Sequence, residues 1–585
     1  MRVLILGGYG VFGGRLAELV CDEPALHLLI AGRSLEKAQA FCRDLGGACG
    51  REALRLDRNG DLAAAFSAAR PDLVVDATGP FQAYGERPYR VAEACIAVGA
   101  DYMDLADDSA FVHGISSLDA SAQGRGVSVL SGVSTCPVLT TAAVRRLSAG
   151  LGHVDEVAAG IAPSPLAVVG LNVLKAITSY AGRPVQLRRN GRDATGVGLA
   201  ETLRFTIRPP GKVPLRPALF SLVDTPDLRI LPDLLPELRD VWFGAGPRPE
   251  ILHRMLITLA RLRSLRLLPA IRPAAPLFHW VKGWLRWGEH RGGMFVRVRG
   301  CTADGDKVER SWHLIAGGDD GPMIPSLPAE GLIRRRLAGL RPEPGARPCV
   351  NELELEDYDR LFARWKITTG VRETPPADAP LYRRILGPAF DRLPAPIRAM
   401  HEVQGEAAAR GIAEVRRGRG PFAALVATLI GAPRSGVDQP VAVTFRADAT
   451  GETWTRNFAG RPFRSRQEAG QGRFDGLVVE RFGPVAVGLA LVVDGGHLHL
   501  VVRGWSLFGL PMPAWLGPGG SAFESVEDDA FHFDVDIRHR LFGRIVSYRG
   551  SLRPDRAGHQ PSSRERSLAC ASGQDASKLQ ETLSP

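Results

Sequence analysis

Six residues near the amino terminus, Gly8-Tyr9-Gly10-Val11-Phe12-Gly13, constrain the fold of this chain more than any other stretch. They follow a short apolar run, Val3–Leu6, and open a segment with helical spacing, Val11–Val20. In a G-x-G-x-x-G turn between strand and helix each glycine has its own task. The first permits the tight turn, the second lets backbone approach a pyrophosphate, and the third lets the helix pack close to the strand. The start of the helix adds unpaired N–H groups and the positive end of a dipole, which suit a phosphate. On this reading Gly8, Tyr9, Gly10, Val11, Phe12 and Gly13 line a dinucleotide site. The alternative is a glycine-rich turn without a ligand.

The surrounding rhythm supports the site. Apolar runs at 3–6, 26–31, 53–56, 73–76, 101–105 and 127–130 alternate with helical patterns, as βαβ units and a parallel sheet require. Residues 1–150 are therefore expected to form a Rossmann-type, doubly wound α/β domain. Its second strand ends Ala31-Gly32-Arg33-Ser34. A carboxylate at that point would accept hydrogen bonds from the ribose 2′-hydroxyl of NAD. Arg33 cannot accept; it can grip a 2′-phosphate with two parallel bonds and stack on adenine. Ser34 can donate to the same phosphate, and Lys37 adds charge or simply faces solvent. The expected cofactor is NADP(H). Asp57, after the third strand, either binds the adenine amine or caps a helix. Thr78, Gly79 and Pro80 end the fourth strand and should face the nicotinamide ribose, since ligands of such sheets lie beyond the carboxyl ends of the strands.

At 585 residues the chain needs more than one core. Residues 151–370 read as an α+β domain. Within it, 296–316 form a hairpin around Asp304-Gly305, a dipeptide that tolerates positive φ. Residues 251–268 read as an amphipathic helix, with Leu252, Met255, Leu256, Leu259 and Leu262 on one face and Arg254 and Arg261 on another. Trp280, Trp284 and Trp287 follow, with Lys282 and Arg286. The Pro-rich stretch 371–381 reads as a linker. Residues 382–553 read as a mainly antiparallel β domain, and the Ser/Arg/Gln-rich tail 554–585 as disordered.

The net charge of +10 suits anionic partners, but no basic run is interleaved with aromatics at the length a nucleic-acid surface needs. Nucleic acid is not an expected partner. The longest apolar stretch, Val485–Val493, is too short to span a bilayer. Eight cysteines without a C-x-x-C pair, and a strand beginning at Arg2, point to a cytoplasmic protein with reduced thiols.

The stretches GGYGVFG (7–13), AGRS (31–34), VVDATGPFQAYG (74–85), ACIAVGADYMDLADD (94–108), GVSTCPVLT (132–140) and DGPMIP (320–325) resemble the saccharopine dehydrogenase-like reductase family over about residues 1–370. The resemblance implies an NADP-binding Rossmann domain, an inserted α+β domain with substrate contacts and a homodimer surface, and a helix near Pro328–Leu340 returning to the first domain. The C-terminal region is similar to a domain of unknown function, which implies no chemistry. The basic helix and tryptophans at 251–287 depart from what two amino-acid substrates need. They suit an apolar, lipid-like substrate or peripheral contact with a membrane, or else form core.

The nicotinamide carries the hydride chemistry, so the protein has to supply position and a proton donor. Tyr102, Asp104 and Asp107 close the fifth strand on the ligand side and are the weak catalytic candidates; capping of a turn is the alternative for the aspartates. Cys136 lies on another loop of that side, as a thiol donor or as a structural cysteine. In the C-terminal region His497 and His499 share a strand face, as do His532, Asp534 and Asp536. Those five could hold a metal, but a polar outer face serves as well, and no metal is expected. The leading function is NADP(H)-dependent reduction of a C=N, C=O or activated C=C bond in a small molecule. The alternative is a non-catalytic NADP-sensing or lipid-binding protein on the same fold.

Overall fold

The computed structural model describes residues 1–167, 180–268, 288–318, 320–376 and 378–555. They form two compact units, one of residues 1–209 and 214–374, the other of residues 210–213 with the chain from 375 onward.

The first unit opens with strands β1 (Arg2–Leu6), β2 (His27–Gly32), β3 (Gly50–Arg55), β4 (Leu73–Asp76), β5 (Asp101–Asp104) and β6 (Ser128–Ser131). Helices α1 (Val11–Val20), α2 (Leu35–Asp44), α3 (Leu62–Ala69) and α4 (Arg90–Val98) connect the first five strands. The sheet runs β6-β5-β4-β1-β2-β3, and every pairing is parallel. The order reverses between β1 and β4, which opens a crevice at their carboxyl ends. Helices on both faces explain why β1 is an unbroken apolar run. Val3 and Ile5 enter one core, Leu4 and Leu6 the other, and all four are buried.

A second, mixed sheet follows. Its members are β7 (His153–Ala162), β10 (Thr202–Phe205), β11 (Ala218–Leu222), β12 (Asp240–Ala245), β13 (Arg291–Cys301), β14 (Lys307–Gly317) and β16 (Ile367–Glu373), beside a separate hairpin of β8 (Pro184–Arg189) and β9 (Arg192–Val197). The pair β7–β12 is parallel and the remaining pairs are antiparallel. The β13–β14 hairpin turns at Gly305 with φ +88°, as the Asp-Gly dipeptide predicts. The chain then returns to the first sheet through the helix Leu327–Leu337, and β15 (Gly345–Pro348) adds a seventh parallel strand beside β6.

Two sequence expectations need correction here. The helix at Glu250–Ser264 forms, but it buries His253, Ile257 and Ala260 and exposes Ile251 and Met255, so its inward face is rotated from the predicted one. A hydrogen bond between His253 Nε2 and Ser221 Oγ at 2.7 Å fixes that rotation. The tryptophan-rich stretch lies outside the described residues, and no described helix is long and apolar enough to cross a membrane. The expected linker starts too early: β16 pairs with β14 as far as Glu373, and a helix begins at Leu381.

The second unit is a closed β-barrel. Strands β17 (Glu406–Arg417), β18 (Gly436–Asp448), β19 (Gly451–Phe458), β20 (Arg461–Ala469), β21 (Val478–Phe482), β22 (Val485–Asp494) and β23 (His497–Leu507) pair in sequence order. The short β24 (Leu510–Met512) hangs on β23, and β25 (Gly519–Glu527), β26 (Ala530–His539) and β27 (Gly543–Pro554) complete the meander. Pairing of β27 with β17 closes ten strands into a barrel. Helices Leu381–Leu386 and Ala395–His401 pack against it. The tail expected to be disordered lies, from residue 556, outside the described residues.

Candidate functional site

The turn after β1 is built from backbone contacts that exclude side chains. Gly7 sits at φ +84°, a conformation that favours glycine. A Cβ on Gly8 would stand 2.8 Å from the Ile5 carbonyl oxygen, and one on Gly13 would run into that of Gly7. Gly10 precedes helix α1 and no side chain caps its start, so its first N–H groups are left for an anion. These features fit a dinucleotide diphosphate. Tyr9 reaches sideways: its ring covers Gly32, and its hydroxyl accepts a hydrogen bond from Ser34 N–H at 3.1 Å. The phosphate turn and the end of β2 are thereby held together. Val11 is exposed and Phe12 half-buried on the first turn of α1.

Arg33 is exposed beside that joint. Ser34 Oγ accepts the Lys37 N–H at 3.3 Å and caps α2, which leaves its own proton free to donate. Lys37 is exposed one turn along. Asp57 is exposed as well and accepts the Asn59 N–H at 3.0 Å. The cap of α3 is Asp61, so the capping alternative for Asp57 falls away.

The loop after β4 is braced from below. The buried Asp76 carboxylate accepts the Thr78 hydroxyl at 2.6 Å, the Thr78 N–H at 3.0 Å and the Tyr84 hydroxyl at 3.0 Å. Burial raises the Asp76 pKa against these bonds. The Arg58 guanidinium lies 3.8 Å above the Tyr84 ring. Thr78 therefore spends its hydroxyl proton inside the fold and offers a ligand only an acceptor. Gly79 and Pro80, joined by a cis peptide, are half-buried at the crevice edge.

The three catalytic candidates part company. Tyr102 is 1% exposed and packs in the apolar core under β5, away from the crevice. Asp104 is fully buried and acts as a staple. Its Oδ1 accepts the Gly132 N–H at 2.7 Å and the Ala106 N–H at 3.0 Å, tying the loops after β5 and β6. Burial pushes its pKa up to about 7. Asp107 alone is reached by solvent, and it accepts Gln82 Nε2–H at 3.1 Å from the loop after β4. Protein crowding still raises its pKa, with Asp108 and Asp224 adding to the rise. Asp108 caps the helix Ser109–Gly114 through the Phe111 N–H at 2.7 Å.

A fourth group was not foreseen from sequence. Asp227 opens the helix Asp227–Leu234, and neither of its buried oxygens has a partner at hydrogen-bond length. Thr140, Cys136 and Thr225 face it from further out, and burial raises its pKa to about 6. The Cys136 thiol is itself pushed well up by burial and by Asp227. Tyr180 stands close enough to Asp107 and Asp224 for both to raise its pKa further beyond the effect of burial. The loops after β4, β5 and β6 thus meet a segment of the second sheet's region in an acidic cluster. The only hint in sequence is Asp224-Thr225-Pro226-Asp227, whose Pro signals a helix start but not a site.

The five groups weighed as metal ligands do not gather. His499 pairs across to Phe523 of β25, and Phe523 in turn to Asp534, so β25 separates the two sets. Asp536 is engaged by Arg538 at 2.7 Å and Arg544 at 3.1 Å.

Residues 3–130 match the family model of the saccharopine dehydrogenase NADP binding domain, and residues 393–552 match DUF4166, a domain of unknown function. No curated protein matches the chain. Among solved structures, the apo histidine-tagged saccharopine dehydrogenase (L-Glu forming) from Saccharomyces cerevisiae is similar at 15% identity, over 64% of this chain and 100% of that one, with TM-score 0.45. A putative oxidoreductase from Klebsiella pneumoniae is similar at 14% identity over 59% and 87%, with TM-score 0.26. Residues 3–130 thus carry an NADP-binding domain.

Proposed function

Taking an NADP-binding domain of the saccharopine dehydrogenase kind as premise, we propose that the chain is an NADPH-dependent reductase of a C=N, C=O or activated C=C bond in a small molecule. One observation carries this reading: the uncapped phosphate turn after β1 lies at the same carboxyl end of the parallel sheet as the loops that bring Gln82 and Asp107 together. NADPH, when bound, supplies the hydride. The glycine turn and the start of α1 hold its diphosphate, and Arg33 with Ser34 takes the 2′-phosphate. Gly79 and Pro80 form a wall of the crevice, and Thr78 offers an acceptor there. Asp107, open to solvent and steadied by Gln82, orients the substrate. Asp227, whose pKa burial raises, lies beside Cys136 and is the nearest reserve of a proton for a reduced heteroatom.

Titration of NADPH fluorescence, followed by its oxidation against imines, ketones and enals, tests the proposal. Saturable binding with a preference over NADH is expected, with turnover for one bond class and a loss of turnover in Asp107→Asn at unchanged NADPH affinity. No binding below millimolar NADPH would sink the reading. Tight binding without oxidation of any class would replace it with a sensing role.

A further inference from the structure

The barrel in the second unit is hollow. Ten strands enclose more space than side chains alone fill, and a cavity of about 390 Å³ lies within. Val443, Leu489, Leu500, Phe533, Val535 and Ile537 line it. The last three alternate inward along β26, yet each stays only half-buried, because the lumen they face is open. One end is plugged. Tyr382 and His401, from the two helices packed there, are buried and stacked at 3.7 Å between ring centres. The other end is a mouth, where His539 and Phe542 line the cavity and the nearby turns expose Phe508, Trp515 and Leu541.

The charges of the lumen are already spent on one another. Arg456 donates to Glu480 at 3.1 Å and to Ser465 at 2.8 Å. His401 Nε2 lies 2.6 Å from Glu524, and Asp536 is held by two arginines. A charged ligand would enter an apolar space with no free countercharge, at a large desolvation cost. The plugged end nevertheless keeps a neutral donor. Gln467 accepts the Tyr382 hydroxyl through its carbonyl at 2.9 Å, which leaves its amide N–H₂.

We infer that the barrel lumen is a binding site for an elongated, uncharged amphiphile. The ligand is a long hydrocarbon ending in an alcohol, aldehyde or ester oxygen, which enters through the aromatic mouth and places that oxygen at Gln467. The assignment is independent of the reductase reading, since it needs neither cofactor nor turnover.

Retinol is a suitable probe on the full chain, because Trp454 and Trp505 line the cavity and their emission overlaps retinol absorption. Saturable quenching by retinol is expected, displaced by hexadecanol and at least roughly tenfold less well by palmitate. Val443→Trp should fill the lumen and abolish quenching while NADPH titration stays unchanged. Should that variant fail to fold, Gln467→Leu decides: because retinol too ends in an alcohol, it should weaken retinol's own binding severalfold and leave the affinity for hexadecane, which has no oxygen, unchanged. Absence of saturable quenching, wild-type binding by a folded Val443→Trp, undiminished retinol binding in Gln467→Leu, or palmitate as good as hexadecanol would each overturn the inference.

Discussion

A carboxyl group whose pKa is pushed from 3.8 to about 7 by burial, as in Asp104, makes stability fall as pH rises. The folded chain binds that proton more tightly than the unfolded chain. Its contribution is thus intact below about pH 4 and is lost as pH climbs through about 7, on the order of 4 kcal/mol for the full shift. Asp104→Asn keeps an acceptor for Gly132 and Ala106 without the ionisation. Urea midpoints measured between pH 5 and pH 8 should fall more steeply for wild type than for this variant; parallel curves would refute the assignment. Arg33 carries the second expectation at this scale. Arg33→Asp removes a charge-assisted pair and adds repulsion, so NADPH should weaken by on the order of 2 kcal/mol more than NADH. Equal losses by fluorescence titration would show that Arg33 does not read the 2′-phosphate. Arg33 and Asp227 mark what sequence reveals. Arg33 was legible because its place is fixed by counting along one βαβ unit. Asp227 was not, since what makes it unusual is burial against Cys136 and Thr140, residues some ninety positions upstream.

Among elements, those built from local patterns were readable and those built from distant partners were not. The six N-terminal strands and the Gly305 hairpin follow from apolar runs and one dipeptide. The seventh strand, Gly345–Pro348, has no apolar run and exists because β6 offers it an open edge. The helix Glu250–Ser264 was foreseen, but its inward face depends on the bond from His253 to Ser221 on another strand. The turn between β1 and α1 is the element most open to test. Its close approach at Gly13 leaves no room for a methyl group, because the Gly7 carbonyl occupies that space. Gly13→Ala should therefore pry the helix from the turn, costing about 1–3 kcal/mol in stability and abolishing both NADPH and NADH binding. Gly10→Val should block both cofactors with a smaller loss of stability, since its Cβ meets the Gly7 oxygen only at 3.0 Å. Retained cofactor binding in either variant would show that the diphosphate lies elsewhere.

At the scale of the molecule, closure of the barrel was the feature hidden from sequence. Alternating strands were evident in 382–553, but a sandwich and a barrel share that pattern. The decision rests on β17 pairing with β27, the first and last strands of the meander. The same separation organises the cores. The clusters holding β1–β6 and the mixed sheet draw only on residues up to Val371, while the barrel cluster draws only on Leu381 to Leu552. Among the described residues each unit has apolar clusters of its own, so each is expected to melt as a cooperative block. NADPH is expected to bind the first block, which carries the match to the NADP-binding domain. At a free concentration of about a hundred times its Kd, it should stabilise that block by about 2.7 kcal/mol, which raises its transition by several degrees and leaves the barrel transition in place. Retinol should do the converse. Differential scanning calorimetry with each ligand distinguishes the outcomes: a single transition that both ligands move together would mean that the units fold as one, and that the cofactor and the lumen are thermodynamically coupled.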